Sequence, residues 1–324
     1  MPEGSRRLGE FELIGRLFAP LAGPGGLGLE DDAALIEPPD GCDLVATKDM
    51  TVSGVHFLPD DPADLVARKL LRVNLSDLAA MGASPQGYLL GLSLPPEIGD
   101  DWLIAFAAGL ARDQAEFGIA LLGGDTTSTP GPLTLSLTAL GVVSRGKILR
   151  RAGASPGDAV FVSGTIGDGA LGLLALRGEV EDRDGYLAGR YRLPVPRLAL
   201  GGGLPGVASA GLDISDGLVA DLGHLCAASG MGAIIEAARI PLSDSVRRLV
   251  EGRPALMASV LTGGDDYELV FSAPPSAVPA IETLSARAGV AVTRIGSIEE
   301  GEGVRVRDGE GRDITPEVPG FRHR

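Results

Sequence analysis

The sequence predicts an α/β protein of two domains built on mixed sheets, and three observations carry that expectation. A chain of 324 residues exceeds one comfortable hydrophobic core. Amphipathic helical stretches alternate with short apolar strands along its whole length. The strands do not all follow βαβ spacing, and two early apolar runs, 33–36 and 44–46, lie close enough for a hairpin. A polar stretch at 145–158, with Gly146, Gly153, Pro156 and Gly157, separates the domains. The division expected is 1–150 and 151–324, the latter a second α/β domain.

In order, residues 8–21 place Phe11, Leu13, Ile14, Leu17 and Phe18 at a helical period. The run Gly23-Pro24-Gly25-Gly26-Leu27-Gly28 formally matches a dinucleotide fingerprint, but it follows a helix and precedes acids, so a mobile loop over the site is expected instead. Val45-Ala46-Thr47-Lys48 imitates the lysine strand of a protein kinase without the tripeptides that should follow. If 33–36 and 44–46 pair antiparallel, Asp31 and Asp32 converge on Asp49. Like charges so placed need a cation or full solvation, and solvated turns are the alternative.

Residues 60–81 read as a helix, with Pro62 near its start and Gly82 after its end. Asp77 falls on an apolar stripe with Val73 and Met81, so it is either metal-bound or hydrogen-bonded in the interior. A strand at 86–94, a helix at 100–117 and a strand at 119–122 follow, the last ending in a Gly123-Gly124-Asp125 loop. Residues 133–143 form a long strand with alternating Thr and Ser.

Beyond the boundary, 159–163 is a strand, and Gly164 to Gly169 opens a helix whose backbone N–H groups suit a phosphate. Another helix is expected within 186–200, beyond the Pro194-Val195-Pro196 break. Asp213, Ser215 and Asp216 precede a helix and exceed what one helix start needs for capping. A third acidic turn, Gly263 to Glu268, precedes a strand at 269–272, then a helix at 276–288 and strands near Val292 and Val304.

The net charge of −15 argues against a nucleic-acid partner, which requires clustered Lys and Arg. Cys42 and Cys226 stand far apart and support neither a disulfide framework nor zinc. No apolar run approaches the roughly 18 residues of a membrane span, and no signal segment is recognised, so a reducing cytoplasm is expected. The acids, lacking His or Cys at ligand spacing, select hard cations, and Mg²⁺ is expected over Zn²⁺. Acids beside glycines suit several Mg²⁺ ions around a polyphosphate. A Walker A loop is absent. Of His56, His224 and His323, His56 directly follows an acidic strand end and is the better substrate candidate.

Taken in order, the motifs resemble the thiamine-monophosphate kinase family, of the superfamily that includes aminoimidazole ribonucleotide synthetase and selenophosphate synthetase. The resemblance rests on Asp31-Asp32-Ala33-Ala34, Asp49 with Gly54-Val55-His56-Phe57, Val73-Asn74-Leu75-Ser76-Asp77, Gly123-Gly124-Asp125 and Arg151 through Asp158. It continues with Val162-Ser163-Gly164-Thr165, Asp213 to Gly217, Gly263 to Tyr267 and Gly320-Phe321. It implies a PurM-like two-domain fold whose first-domain strands pair across a homodimer, and ATP-dependent phosphorylation of thiamine monophosphate. It implies Mg²⁺ ligands at Asp31, Thr47, Asp49, Asp77, Asp125, Asp213 and Asp216, and ATP contacts at Gly124, Asp125, Arg151 and Ser215. The acceptor contacts implied are His56, Asp265 and Phe321, with no protein base or nucleophile. The chain departs from the family at Glu30, usually glycine, and at Lys48, usually a small hydroxyl residue.

Relatives with other chemistry fit less well. Selenophosphate synthetase is expected to carry a reactive Cys or selenocysteine in its glycine-rich N-terminal segment, and 23–28 holds neither. A hydrogenase-maturation relative would end in Cys, where this chain ends in Arg324. Against a non-catalytic binding module stand the intact acids in every loop.

Overall fold

The computed structural model describes residues 8–321; His323 lies outside them. Two compact units divide the chain: the part up to Leu78 with Ser84–Ser144, and Ala79–Ala83 with the chain from Arg145 onward.

In the first unit, α1 (Glu10–Leu13) runs into a π-helical turn at Ile14–Phe18 and a 3₁₀ turn at Ala19–Leu21. Next come β1 (Cys42–Val52), α2 (Ala63–Ala80), β2 (Ser84–Leu94), α3 (Asp100–Phe117), β3 (Ala120–Ser128) and β4 (Thr134–Ser144). The sheet order is β1-β4-β2-β3, antiparallel except for the parallel pair of β2 and β3. β4 is an interior strand whose Leu135, Leu137 and Ala139 alternate into the core. α3 starts with Asp100 and Asp101, which complement the helix dipole, and buries Leu103, Phe106 and Leu110 on one face. Arg68 and Arg72 of α2 bind Asp113 and Glu116 of α3, fixing the helices side by side.

The second unit comprises β5 (Ala159–Ser163), α4 (Asp168–Leu176), α5 (Tyr186–Arg192), α6 (Leu198–Gly201), β6 (Ala210–Asp213) and α7 (Leu218–Ser229). They are followed by β7 (Gly232–Glu236), α8 (Asp244–Gly252), α9 (Leu256–Thr262), β8 (Leu269–Ala273), α10 (Val278–Ala288), β9 (Val292–Glu299) and β10 (Gly303–Arg307). The sheet order is β10-β7-β9-β5-β8-β6, with only β10 and β7 parallel. β5 and β8 are buried throughout because both sheet faces are covered. Val160, Val162 and Val270 enter one core cluster, and Phe161, Leu269 and Phe271 the other. Both sheets are mixed, as the irregular strand spacing implies. Among the described residues no helix is long and apolar enough to cross a membrane.

Candidate active site

In the first unit, strand alternation puts Thr47 and Asp49 on one side of β1 and Lys48 on the other. α2 covers the Thr47 side. Thr47 Oγ1 donates to the Asp77 carboxylate at 2.5 Å, and the Asp49 N–H donates to Asn74 Oδ1 at 3.2 Å. Asn74 is fully buried and held against its own helix by its Nδ2 bond to the Leu70 carbonyl at 2.9 Å, which leaves Oδ1 free to accept from Asp49. The Asp49 carboxyl is pushed up to about 7, first by burial and then by the neighbouring Asp77 charge. Thr47, Asp49 and Asp77 are thus brought together, on oxygen donors alone.

On the Lys48 side lies a groove of about 640 Å³, lined by Asp31, Asp32, Lys48, Asp125, Ser136 and Thr138 among its polar groups. Phe18, Leu29 and Leu89 supply apolar wall. The Lys48 ammonium donates to the Ser136 hydroxyl. The expected hairpin is not formed: 33–36 carries no strand, and all eleven residues of β1 pair with β4. Pro38 and Pro39 provide no N–H for a ladder there. Asp31 and Asp32 therefore do not join Asp49, whose side chain leaves the opposite side of β1. Gly123-Gly124-Asp125 is not a loop but the middle of β3, with Gly124 opposite Leu90. A Cβ on Gly124 would sit 2.0 Å from the Leu90 carbonyl oxygen, so close strand approach demands glycine there. The 23–28 run folds as a 3₁₀ segment (Pro24–Leu29) beside β3, with the Gly23 N–H bonded to the Leu121 carbonyl at 2.9 Å.

His56 sits in the turn after β1, half-buried. Its Nδ1 accepts from the Val52 N–H at 3.1 Å, which assigns the ring proton to Nε2.

In the second unit, Asp213 ends β6 and is buried, while Ser215 and Asp216 follow half-buried. The start of α7 is held by Asp221, which no local sequence signal marks. Its carboxylate accepts from the N–H groups of Ser215 (3.0 Å), Asp216 (2.9 Å) and Gly217 (3.1 Å). Burial pushes Asp221 up to about 7 against the pull of those amides. The Asp265 N–H donates to the Ser215 carbonyl at 3.0 Å, and the Phe321 N–H to the Asp216 carbonyl at 3.0 Å. Ser215, Asp216, Asp265 and Phe321 are therefore neighbours, and Arg151 is exposed.

The glycine-rich start of α4, expected to suit phosphate, is occupied instead by the Asp266 carboxylate. Nothing local signals this, since Asp266 arrives from 97 residues downstream of Gly169. Burial pushes Asp266 up to about 8, against its two backbone amides.

Among the described residues, no three His, Cys, Asp or Glu side chains converge as a metal-ligating group. The donor chemistry nevertheless fits a hard divalent cation at Asp49 and Asp77. There, two carboxylates and a hydroxyl meet in half-buried surroundings that disfavour the charge of Asp49.

Residues 30–143 match the AIR synthase related protein N-terminal domain, and 155–309 its C-terminal domain. The thiamine-monophosphate kinase of Caulobacter vibrioides is 47% identical over 97% of this chain and 90% of its own length. The crystal structure of thiamine-monophosphate kinase from Stenotrophomonas maltophilia K279a superposes with a TM-score of 0.80 at 45% identity, covering 86% of this chain and 89% of that one. A structure of AaThiL complexed with AMPPCP and TMP covers 98% of this chain and 100% of its own, with a TM-score of 0.76 at 32% identity.

Proposed function

The chain belongs to the thiamine-monophosphate kinase family, and from that premise we propose that it transfers the γ-phosphoryl group of ATP to thiamine monophosphate. The observation that carries this is similarity along nearly the whole chain to kinases of that name, one of them solved with AMPPCP and TMP.

Transfer is proposed to be direct. An oxygen of the acceptor phosphate attacks the γ-phosphorus, the bond to the β–γ bridging oxygen breaks, and ADP leaves with that electron pair. The acceptor is a phosphate monoester with a second pKa of roughly 6, so near neutrality it is already a nucleophile and needs no protein base. Repulsion between the two phosphates is the barrier, and Mg²⁺, when bound, supplies neutralisation and in-line alignment. In the first unit Asp49, Asp77 and Thr47 are the proposed metal holders, with Asp31 and Asp125 along the groove. Gly124 and Asp125 are proposed to face the nucleotide. In the second unit Asp213 and Asp216 are proposed as metal ligands, with Ser215 and Arg151 as nucleotide contacts. His56, with its proton on Nε2, is suited to donate to the acceptor rather than take a proton from it. Asp265 is proposed to meet the cationic thiazolium, and Phe321 to stack on a ring.

A homodimer is proposed through the first unit. The two long strands expected at 86–94 and 133–143 would need cover if they were edges, but β2 and β4 are interior and the edges are β1 and β3. Those edges, with exposed Leu44 and Met50 on β1, are what a second copy would protect.

A coupled assay with thiamine monophosphate and ATP tests the activity, and unphosphorylated thiamine should be a very poor acceptor. Enzyme that retains label from γ-labelled ATP alone and passes it to thiamine monophosphate would overturn direct transfer. A monomer by light scattering at micromolar concentration would overturn the dimer.

A further inference from the structure

The acidic turn before β8 is built by alternation. Asp266 and Glu268 point inward and are 1% and 0% exposed, whereas Asp265 and Tyr267 are half-buried. Asp265 adopts φ 70° and Tyr267 φ 51°, left-handed conformations that are costly for residues with a Cβ and persist only where the surroundings hold them. The inward residues are the anchors. The Asp266 carboxylate accepts from the Gly167 N–H at 2.7 Å and the Gly169 N–H at 2.9 Å, with one oxygen on each. Glu268 is gripped by Arg197, by Arg190 at 3.0 Å and by the Ser163 hydroxyl at 2.6 Å. On the other edge the Asp265 and Tyr267 N–H groups bind the Ser215 and Ile214 carbonyls at 3.0 and 2.8 Å. α4 presses directly beneath: a Cβ on Gly169 would lie 2.2 Å from the Asp265 carbonyl oxygen.

We propose that Asp266 is a positioning residue for the phosphate acceptor. By latching onto the start of α4, it holds Asp265 in its left-handed conformation and in register with Ser215. The apparent phosphate site at that helix start is thereby an internal fastening, filled by the chain's own Asp266 carboxyl group. The proposal rests on the assignment of Asp265 to the acceptor made above.

Full-length Asp265→Ala, Asp266→Asn, the double variant and Gly169→Ala should be compared, with each substrate varied in turn and thermal midpoints recorded. Asn keeps the size of Asp266 but turns an amide donor toward one of the two N–H groups. D266N should raise KM for thiamine monophosphate on the order of tenfold, with kcat and KM for ATP within about twofold. G169A, pushing Asp265 from the other side, should raise the same constant. In the D265A background D266N should add nothing, because Asp266 acts through Asp265.

An unchanged acceptor KM in D266N would overturn the latch. So would a D266N effect that multiplies that of D265A, or equal rises in both KM values with a lowered midpoint. If D265A alone leaves the acceptor KM unchanged, the assignment of Asp265 fails and the latch falls with it.

Discussion

Two carboxylate clusters, one in each unit, solve the same electrostatic problem in opposite ways. In the second unit Asp168, Asp266 and Glu268 are all buried, and each is met by donors from the chain. Asp168 accepts from Thr165, Tyr186 and Ser243 hydroxyls, Asp266 from two amides, and Glu268 from two arginines and a serine. In the first unit the neighbour that most perturbs Asp49 is another acid, Asp77. A buried anion surrounded by the chain's own donors is structural. Asp49, raised by burial and by the Asp77 charge beside it, is instead where added positive charge would be most stabilising. A count of acidic loops in the sequence does not separate the two kinds.

The sharpest test of that contrast is the loss of one acid from each cluster. Asp49→Asn, and likewise Asp77→Asn, should lower turnover on the order of a thousandfold or more while leaving the fold intact. Coupled turnover alongside circular dichroism in chelator checks this, and near-normal activity in either variant would remove that residue from the metal set. Arg197→Met should do the reverse. It strips a partner from buried Glu268, which costs roughly 3 kcal/mol of stability, while the Mg²⁺ concentration for half-maximal activity stays unchanged. A shift in that Mg²⁺ requirement would blur the two clusters into one.

A subtler expectation concerns pH. Folded metal-free protein retains the Asp49 proton up to about 7, whereas the unfolded chain releases it near the ordinary 3.8. The folded state therefore binds more protons between those values, and stability falls as pH rises from about 4 to about 7. Asp221 and Asp266 share this sign, so the measurement is a difference. In chelator, the thermal midpoint of D49N should exceed that of the wild type at pH 8 by more than at pH 5. An equal gap at both would show that Asp49 ionises without penalty. The smallest effect is expected at His56, where His56→Asn should retain turnover with an acceptor KM raised several-fold. Loss of turnover across all pH would instead make the imidazole a proton acceptor.

Much of the fold was legible because its signals are local. The helix over 100–117 is observed at those bounds, since Asp100 and Asp101 favour its start and Gly118 closes its end. The strand over 159–163 is likewise observed at its expected bounds, a short apolar run ended by Gly164. Within 231–262, β7, α8 and α9 carry no clear sequence signal, because the runs there are short and the helices only seven to nine residues long. Asp77 was legible as unusual by its apolar stripe, whereas Asp49, expected just beyond a short strand, lies inside the longer β1 because the ladder with β4 runs on to Val52.

What the tertiary structure alone decided was which partner each group received. The apolar run 33–36 could have paired with 44–46, but β4, some ninety residues on, offered an unbroken eleven-residue ladder. Thr47 meets Asp77 across 30 residues, and Asp266 meets Gly167 across 99. Periodicity and capping act within a few residues and are written in the sequence. Whether a carboxylate is met by an amide, an arginine or another acid depends on which distant segment packs against it, and packing of the whole core chooses that segment.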